Sequence, residues 1–370
     1  MAVGAGSRGL ARHVELLRGT VEGLRAVGAE PFVVPAMGSH GGGTADGQLA
    51  TLAGLGITEA GIDAEIRSTM DTEVVAAVDD EALGAVELHL DRHAAAADLV
   101  LPVNRVKPHT SFHGPIESGL AKMAVVGFGK RAGAAAFHAT GPSRLSRRLQ
   151  VSIDALRATG RLLGGVGSVE AAGADATAVV AVEALTAAEV GGPAETALLD
   201  RARALLPGLP FAAIDVLIVE EGGKDVSGTT MDPNVTGRFW IDGVADAERP
   251  RVATIVLLGL TAATAGNATG IGFADMVPAS LAAEVDWEAT YLNCLTAGPP
   301  GVRRARLPMV LPDDGACVRA ALAACGRGPD EPKRVVRIAS TAHVTRCWVS
   351  EALLGELPPG ARIIGAAGDS

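Results

Sequence analysis

The feature that most constrains this chain is a repeated order: a short apolar run, a loop bearing glycine or histidine, then an amphipathic helix. Met1–Val3 runs into the turn Gly4–Gly9, after which Leu10, Val14, Leu17, Val21, Leu24 and Val27 recur at helical spacing. Phe32–Val34 runs into AMGSHGGGTADGQ, with a helix expected from about Thr44. Asp98–Val103 leads straight into NRVKPHTSFHG. Such units predict an α/β fold with mostly parallel sheets, whose loops at the carboxyl ends of the strands carry ligands. Composition agrees: hydrophobic residues are 48% and aromatics 3%, so Ala, Val and Leu must fill the cores, as in α/β layers and unlike an aromatic-rich sandwich.

Further along, Gly141-Pro142-Ser143 is expected to open a helix to about Ala158, with Ser143 as its cap and Leu145, Leu149, Ile153 and Leu156 on its apolar face. Ala176–Leu185 reads as a strand. The run Leu206-Pro207-Gly208-Leu209-Pro210 ends a helix, and AAIDVLIVEEGG restarts as a strand of a new α/β unit. This places a boundary between a cofactor-binding and catalytic domain, 1–206, and a second α/β domain, 207–370. Thr254–Gly259, Val335–Ala339 and Arg362–Gly365 supply further strands to the second domain. The active site is expected in a cleft between the two.

Asn104–His138 concentrates the chemistry. It holds three of the eight histidines (His109, His113, His138) and three of the five lysines (Lys107, Lys122, Lys130) of a chain whose other cations are nearly all arginine. A lysine amine can lose its proton in a shielded site and act as nucleophile or covalent anchor, which a guanidinium cannot do. His40 sits on a glycine-rich strand-end loop, where a plain turn with a solvated histidine is the alternative. Lys224 and Arg238 flank a loop rich in small polar residues and would suit a carboxylate. HxxxH at His109 and His113 has the spacing of helical zinc ligands, but Pro108, Gly114 and Pro115 disfavour a helix there. His13, His89, His93 and His343 are expected on helix faces or in polar surroundings. The four cysteines lack CxxC spacing and are expected as buried thiols. A net charge of −10 argues against nucleic acid or an anionic membrane surface as partner. Neither a signal peptide nor a membrane span is evident, which predicts a cytoplasmic protein.

GSHGGGTADGQ, VNRVKPHTSFHGPIESGLAKM and His138, 16 positions after Lys122, together resemble the nickel-dependent lactate racemase family and its 2-hydroxyacid racemase and epimerase relatives. The resemblance implies that Lys122, in the Ser118-Gly119 turn SGLAK, carries through a thioamide a nickel-pincer nucleotide derived from nicotinic acid mononucleotide. It implies that His138 ligates the nickel and that His40 and His109 are the acid/base pair; Arg8, Lys224 and Arg238 are the cations expected near the substrate carboxylate. The substrate would be a small 2-hydroxycarboxylate, and the host's cofactor-making enzymes would be partners. There are departures. His113 competes with His109 for the second base. Gly4–Ser7 replaces an acidic residue expected before Arg8, and only Asp232 and Asn234 match in the second-domain loop. Family members carry additional chain before the first strand. A non-catalytic small-acid sensor on the same fold is the alternative.

The chemistry accounts for the residue types. The α-hydrogen beside an ionised carboxylate is too weakly acidic for one histidine to remove as a proton. Hydride transfer avoids that step and passes through a planar keto acid. Two enantiomers direct their hydroxyls to opposite sides, so two histidines are needed, each base for one and acid for the other.

Overall fold

The computed structural model describes residues 1–365, apart from Arg8, Ser111 and residues 173–176, 242–244 and 297–298. The chain is α/β and divides into two compact units with the main cut after Leu206; two short later segments, at Ile241 and from Thr296 to Pro300, group with the first unit. The first runs β1 (Ala2–Ala5), α1 (His13–Ala26), β2 (Phe32–Pro35), α2 (Ala45–Gly54), α3 (Glu59–Ile62), β3 (Thr72–Asp80), β4 (Gly84–Asp91), α4 (Arg92–Ala96) and β5 (Val100–Arg105). It continues with α5 (Leu120–Lys122), a π-helical turn Met123–Gly127, α6 (Lys130–His138), α7 (Leu145–Ala158), β6 (Gly164–Ala172), β7 (Thr177–Thr186) and α8 (Pro193–Ala204).

Five of these strands form a sheet in the order β2-β1-β5-β6-β7. All neighbours are parallel except β7, which returns antiparallel to β6. Alternation along the strands divides the core. Ala2, Val34 and Val100 face Leu120, Phe128 and Ile153. Val3, Val33 and Val103 face Leu17 and Val21 of α1 and Leu52 of α2. Covering on both sides explains why these strands are apolar throughout. Each fully buried side chain such as Leu17 contributes about 1.5–3 kcal/mol. Gly4 is required by close approach: a Cβ there would lie 2.6 Å from the Phe128 ring and 2.9 Å from the Ala36 Cβ.

Because β1, β2 and β5 are parallel, the loops after all three leave by the same edge of the sheet. β2 and β5 flank β1 on opposite sides, so the strand order reverses at β1, the kind of switch point at which open sheets bind ligands.

From Pro207 onward the elements are β8 (Ala213–Gly222), α9 (Pro233–Thr236), β9 (Arg251–Leu260), β10 (Met276–Pro278), α10 (Ala279–Glu284), α11 (Trp287–Thr296), α12 (Pro299–Arg304), β11 (Met309–Leu311), α13 (Asp314–Ala324), β12 (Val335–Ser340) and β13 (His343–Val349). Their sheet has the order β11-β10-β9-β8-β12-β13, parallel except for β13. Leu217, Val219, Ile255, Leu257, Val336 and Ile338 form the core of one face.

Several sequence expectations need correction. Val27 lies beyond the last turn of α1 and is 80% exposed. Ser143 does not cap α7: it lies in a 3-10 turn, Pro142–Arg144, and Arg144 precedes the helix without a side-chain cap. Arg362–Gly365 is not a strand, and Ile363 and Ile364 are exposed, because the edge beside β12 is occupied by β13. Of the histidines expected on helix faces or in polar surroundings, His89 and His343 lie on strands β4 and β13 among polar neighbours, His89 beside Thr72 and Glu87 and His343 beside Ser340. The strand expected at Ala176–Leu185 is β7, and its expected first residue, Ala176, lies outside the described residues. Among the described residues, no helix is long and apolar enough to cross a membrane. Cys294, Cys317 and Cys325 are buried free thiols and Cys347 is half-buried.

Candidate active site

The segment that concentrates histidine and lysine begins where β5 ends. The Lys107 N–H donates to the Ser118 carbonyl at 2.8 Å, and the two residues form an isolated antiparallel bridge. That bridge closes a non-helical loop over residues 108–117, so the HxxxH spacing produces no ligand pair on a helix face. The loop is organised from inside by Glu117, whose side chain is fully buried. Glu117 Oε2 accepts from the His109 backbone N–H at 2.6 Å. Its Oε1 accepts from the Gly114 N–H at 3.1 Å and from Arg203 Nη2 of α8 at 2.6 Å, and meets His113 Nδ1 at 3.2 Å. Burial pushes the carboxyl up, but the bonds from His113, the His109 N–H and Arg203 outweigh it and hold Glu117 below the usual range.

With its backbone fixed in this way, His109 turns its Nε2 to the Lys122 amine, and the two are hydrogen-bonded. Phe112 floors the pair: its ring centroid lies 4.4 Å from that of His109 and 5.8 Å from Lys122 Nζ. Lys122 ends the single turn α5, which is held from beneath by Glu195 at the start of α8. The Glu195 carboxylate accepts from the N–H groups of Leu120 (2.7 Å), Ala121 (3.2 Å) and Gly191 (2.7 Å). Asn104 of β5 donates to the Gly119 carbonyl at 3.0 Å. Gly119 admits the carboxylate because a Cβ would lie 2.3 Å from Glu195 Oε1. Ser118 is half-buried beside it.

Beyond Lys122 the π-helical turn Met123–Gly127 leads into α6, and π turns are frequent at functional sites. His138 ends α6, edge-on to Phe137 at 5.3 Å between centroids. Burial, together with the nearby Lys122 charge, lowers its pKa from 6.5 to about 4. His138 is therefore a neutral imidazole at neutral pH, the form that ligates metals.

His40 lies on the loop after β2, exposed, and its Nδ1 shares a 2.5 Å hydrogen bond with Ser7 Oγ of the β1 loop. That loop rests on the π turn, the Gly38 N–H donating to the Gly127 carbonyl at 3.0 Å. Gly38 also faces Ala134, one turn before His138 on the same side of α6. The carbonyls of Gly38 and His40 accept from Gln48 Nε2 at 2.8 and 3.3 Å. Gln48 in turn meets Lys130, a fully buried ammonium that also bonds the Pro35 carbonyl (2.5 Å) and Asp91 (3.1 Å). Lys130, one of the three clustered lysines, is thus a structural tie between β2, α2 and β4.

The remaining predicted residues divide. Arg8 lies outside the described residues. Lys224 follows β8, where its side chain is hydrogen-bonded to Asn293 and its N–H donates to Thr264 Oγ1 at 3.1 Å. Arg238 is engaged in the protein itself: its Nη1 contacts Asp275 at 2.9 Å and the Phe273 carbonyl at 2.8 Å, with Trp240 alongside. Asp232 caps α9, accepting from the Asn234 N–H at 2.9 Å. Among the described residues, no group of three or more His, Cys, Asp or Glu side chains is placed to hold a metal ion by itself.

Sequence reasoning missed Glu117, Glu195, Arg203 and Ser7. A signal existed for Glu117, the only acidic residue between Asn104 and His138. Glu195, following Gly-Gly-Pro at a helix start, reads as an ordinary first-turn acid. No protein-family model matches this chain, and no curated protein or solved structure is detectably similar to it.

Proposed function

We propose that this chain is a racemase or epimerase of a small 2-hydroxycarboxylic acid, acting by proton-coupled hydride transfer with a nickel-pincer nucleotide attached to Lys122. The observation that carries the reading is the hydrogen-bond contact of a primary amine, Lys122, with the imidazole of His109; a second imidazole, His138, is held neutral by burial and by the Lys122 charge. This donor set fits the group at the level of chemistry. The amine of Lys122 would form the thioamide, and His138 would donate its lone pair to the nickel; the soft sulfur donors of the pincer would complete a set that suits this ion. When bound, the group would supply a hydride acceptor, the hard chemistry that no side chain performs.

The residues supply the proton steps and the orientation. His109 would take the hydroxyl proton of one enantiomer and His40 that of the other, each returning it in the opposite direction. The Ser7 hydroxyl fixes the ring of His40, and Glu117 fixes the backbone of His109. His109 is favoured over His113 as second base because His113 turns its Nδ1 to Glu117, whereas His109 points its Nε2 at Lys122. Lys224 and Arg8 are the cations proposed for the substrate carboxylate. Arg238 is proposed with less to support it, since Asp275 already engages its guanidinium. The reading places the protein in the cytoplasm, alongside the enzymes that make the cofactor.

Expression of the chain together with cofactor-making enzymes tests this. Nickel bound in the purified protein, a mass increment on the Lys122 peptide and interconversion of 2-hydroxyacid enantiomers are expected. An unmodified Lys122 in a nickel-free protein from the same cells would sink the proposal.

A further inference from the structure

The loop between Lys107 and Ser118 presents two histidines four positions apart, and the described hydrogen bonds take His109 to Lys122 and His113 to Glu117. What separates them is one buried carboxylate. Glu117 Oε2 takes the backbone N–H of His109 at 2.6 Å, and the imidazole of His109 turns toward Lys122. Its Oε1 lies 3.2 Å from the side chain of His113 and takes the next N–H, that of Gly114, at 3.1 Å. One histidine is held by its backbone and the other by its ring. Arg203, projecting from α8, closes the arrangement: Nη2 contacts Glu117 Oε1 at 2.6 Å and the Gly114 carbonyl at 2.9 Å, while Nη1 is anchored by Asp200 at 2.7 Å. A fully buried carboxylate is costly unless its oxygens are satisfied, and here two backbone N–H groups, a guanidinium and an imidazole surround it.

We propose that Glu117, gripped by Arg203, is the positioning residue that makes His109 rather than His113 the imidazole facing Lys122. The inference rests on the proposed function only for what His109 then does, and its test requires neither nickel nor cofactor. Failure to load the cofactor and failure of this test are therefore separate results.

The experiment follows acylation of Lys122 by an amine-reactive ester, in the unloaded full-length chain, by peptide mass spectrometry across pH. An ammonium that donates to an imidazole is held in its charged, unreactive form by that bond. His109→Gln and Glu117→Gln should each lower the midpoint of the Lys122 profile by about one unit, seen as roughly tenfold faster labelling at a fixed pH below it. The double variant should move no further than either single one, because both remove the same contact. A merely structural role for Glu117 would loosen the site and raise labelling at every pH without moving the midpoint. Should Glu117→Gln fail to fold, Arg203→Met removes the grip from outside the loop and should move the midpoint in the same direction. A wild-type midpoint in both Glu117→Gln and Arg203→Met, additive shifts in the double variant, or an unmoved midpoint in His109→Gln would each overturn the proposal.

Discussion

Lys122 and Arg238 show how similar charges take different roles once their neighbours are known. Lys122 sits against an imidazole and an aromatic ring, and Arg238 against a carboxylate and a carbonyl. For Lys122→Arg the positive charge persists but the primary amine is gone. Its purified protein should carry no covalent cofactor and no racemase activity while melting near wild type, as intact mass and thermal denaturation would report; a covalent adduct on the variant would show that another residue is the tether. The two proposed bases can be told apart by half-reactions. In cofactor-loaded His40→Ala or His109→Ala, one enantiomer should still be oxidised, so each variant should change its absorbance with one enantiomer only, and the preference should invert between them. The same preference in both would remove the two-base assignment, and inversion in His113→Ala instead would transfer it to His113. Lys122 and His109 could be found from sequence because rare residue types cluster there. The role of Arg238 could not, because its partner Asp275 lies 37 positions away and is brought to it only by the second sheet.

Elements decide how rigidly the amine is presented. α5 is one turn long and has little stability of its own, so its position is set by Glu195 of α8, 75 residues on. Burial pushes the Glu195 carboxyl up, and the N–H groups of Gly191, Ala121 and Leu120 pull it back. Gly119→Ala would drive a methyl group into that carboxylate and should cost about 1–3 kcal/mol of stability, as overpacking of a tight site does. Urea denaturation is the measurement, and a variant as stable as wild type would mean that α8 yields and does not brace α5. The strand-loop-helix order of the first hundred residues was readable because apolar period and glycine position agree there. Strand β3 was not, being half-exposed to exposed along its length; β4 does alternate, with Val86, Leu88 and Leu90 buried between Glu87 and His89, but its run is short and lies in a polar, acidic stretch that masks it. The π turn left no mark either, since its residues, Met123–Gly127, would equally suit an α-helix.

At the scale of the molecule, the first unit hides an acid-sensitive group that the proposed chemistry does not use. His13 opens α1 and is 4% exposed, with neither ring nitrogen hydrogen-bonded. Burial, and behind it the charge of Arg105, lowers its pKa from 6.5 to about 4. Arg105 is itself paired with Glu170 at 2.6 Å. The sign follows from proton counting. Between those two values the unfolded chain binds a proton that the folded one refuses, so stability rises with pH across this window and is lost as pH falls through it. A displacement of this size corresponds to roughly 3 kcal/mol when complete. Glu117, held low in the folded state, adds to the loss below the ordinary carboxylate range, whereas Glu195, held high, opposes it. His13→Leu keeps an apolar side chain of similar bulk at the position and has nothing to protonate. Its unfolding free energy, measured in urea from pH 7 down to about pH 4, should fall clearly less than that of wild type, by an amount on the order of the 3 kcal/mol above. Parallel curves for the two proteins would mean that water or local opening reaches His13 before the unit unfolds, and that its burial does not set the acid limit of this fold.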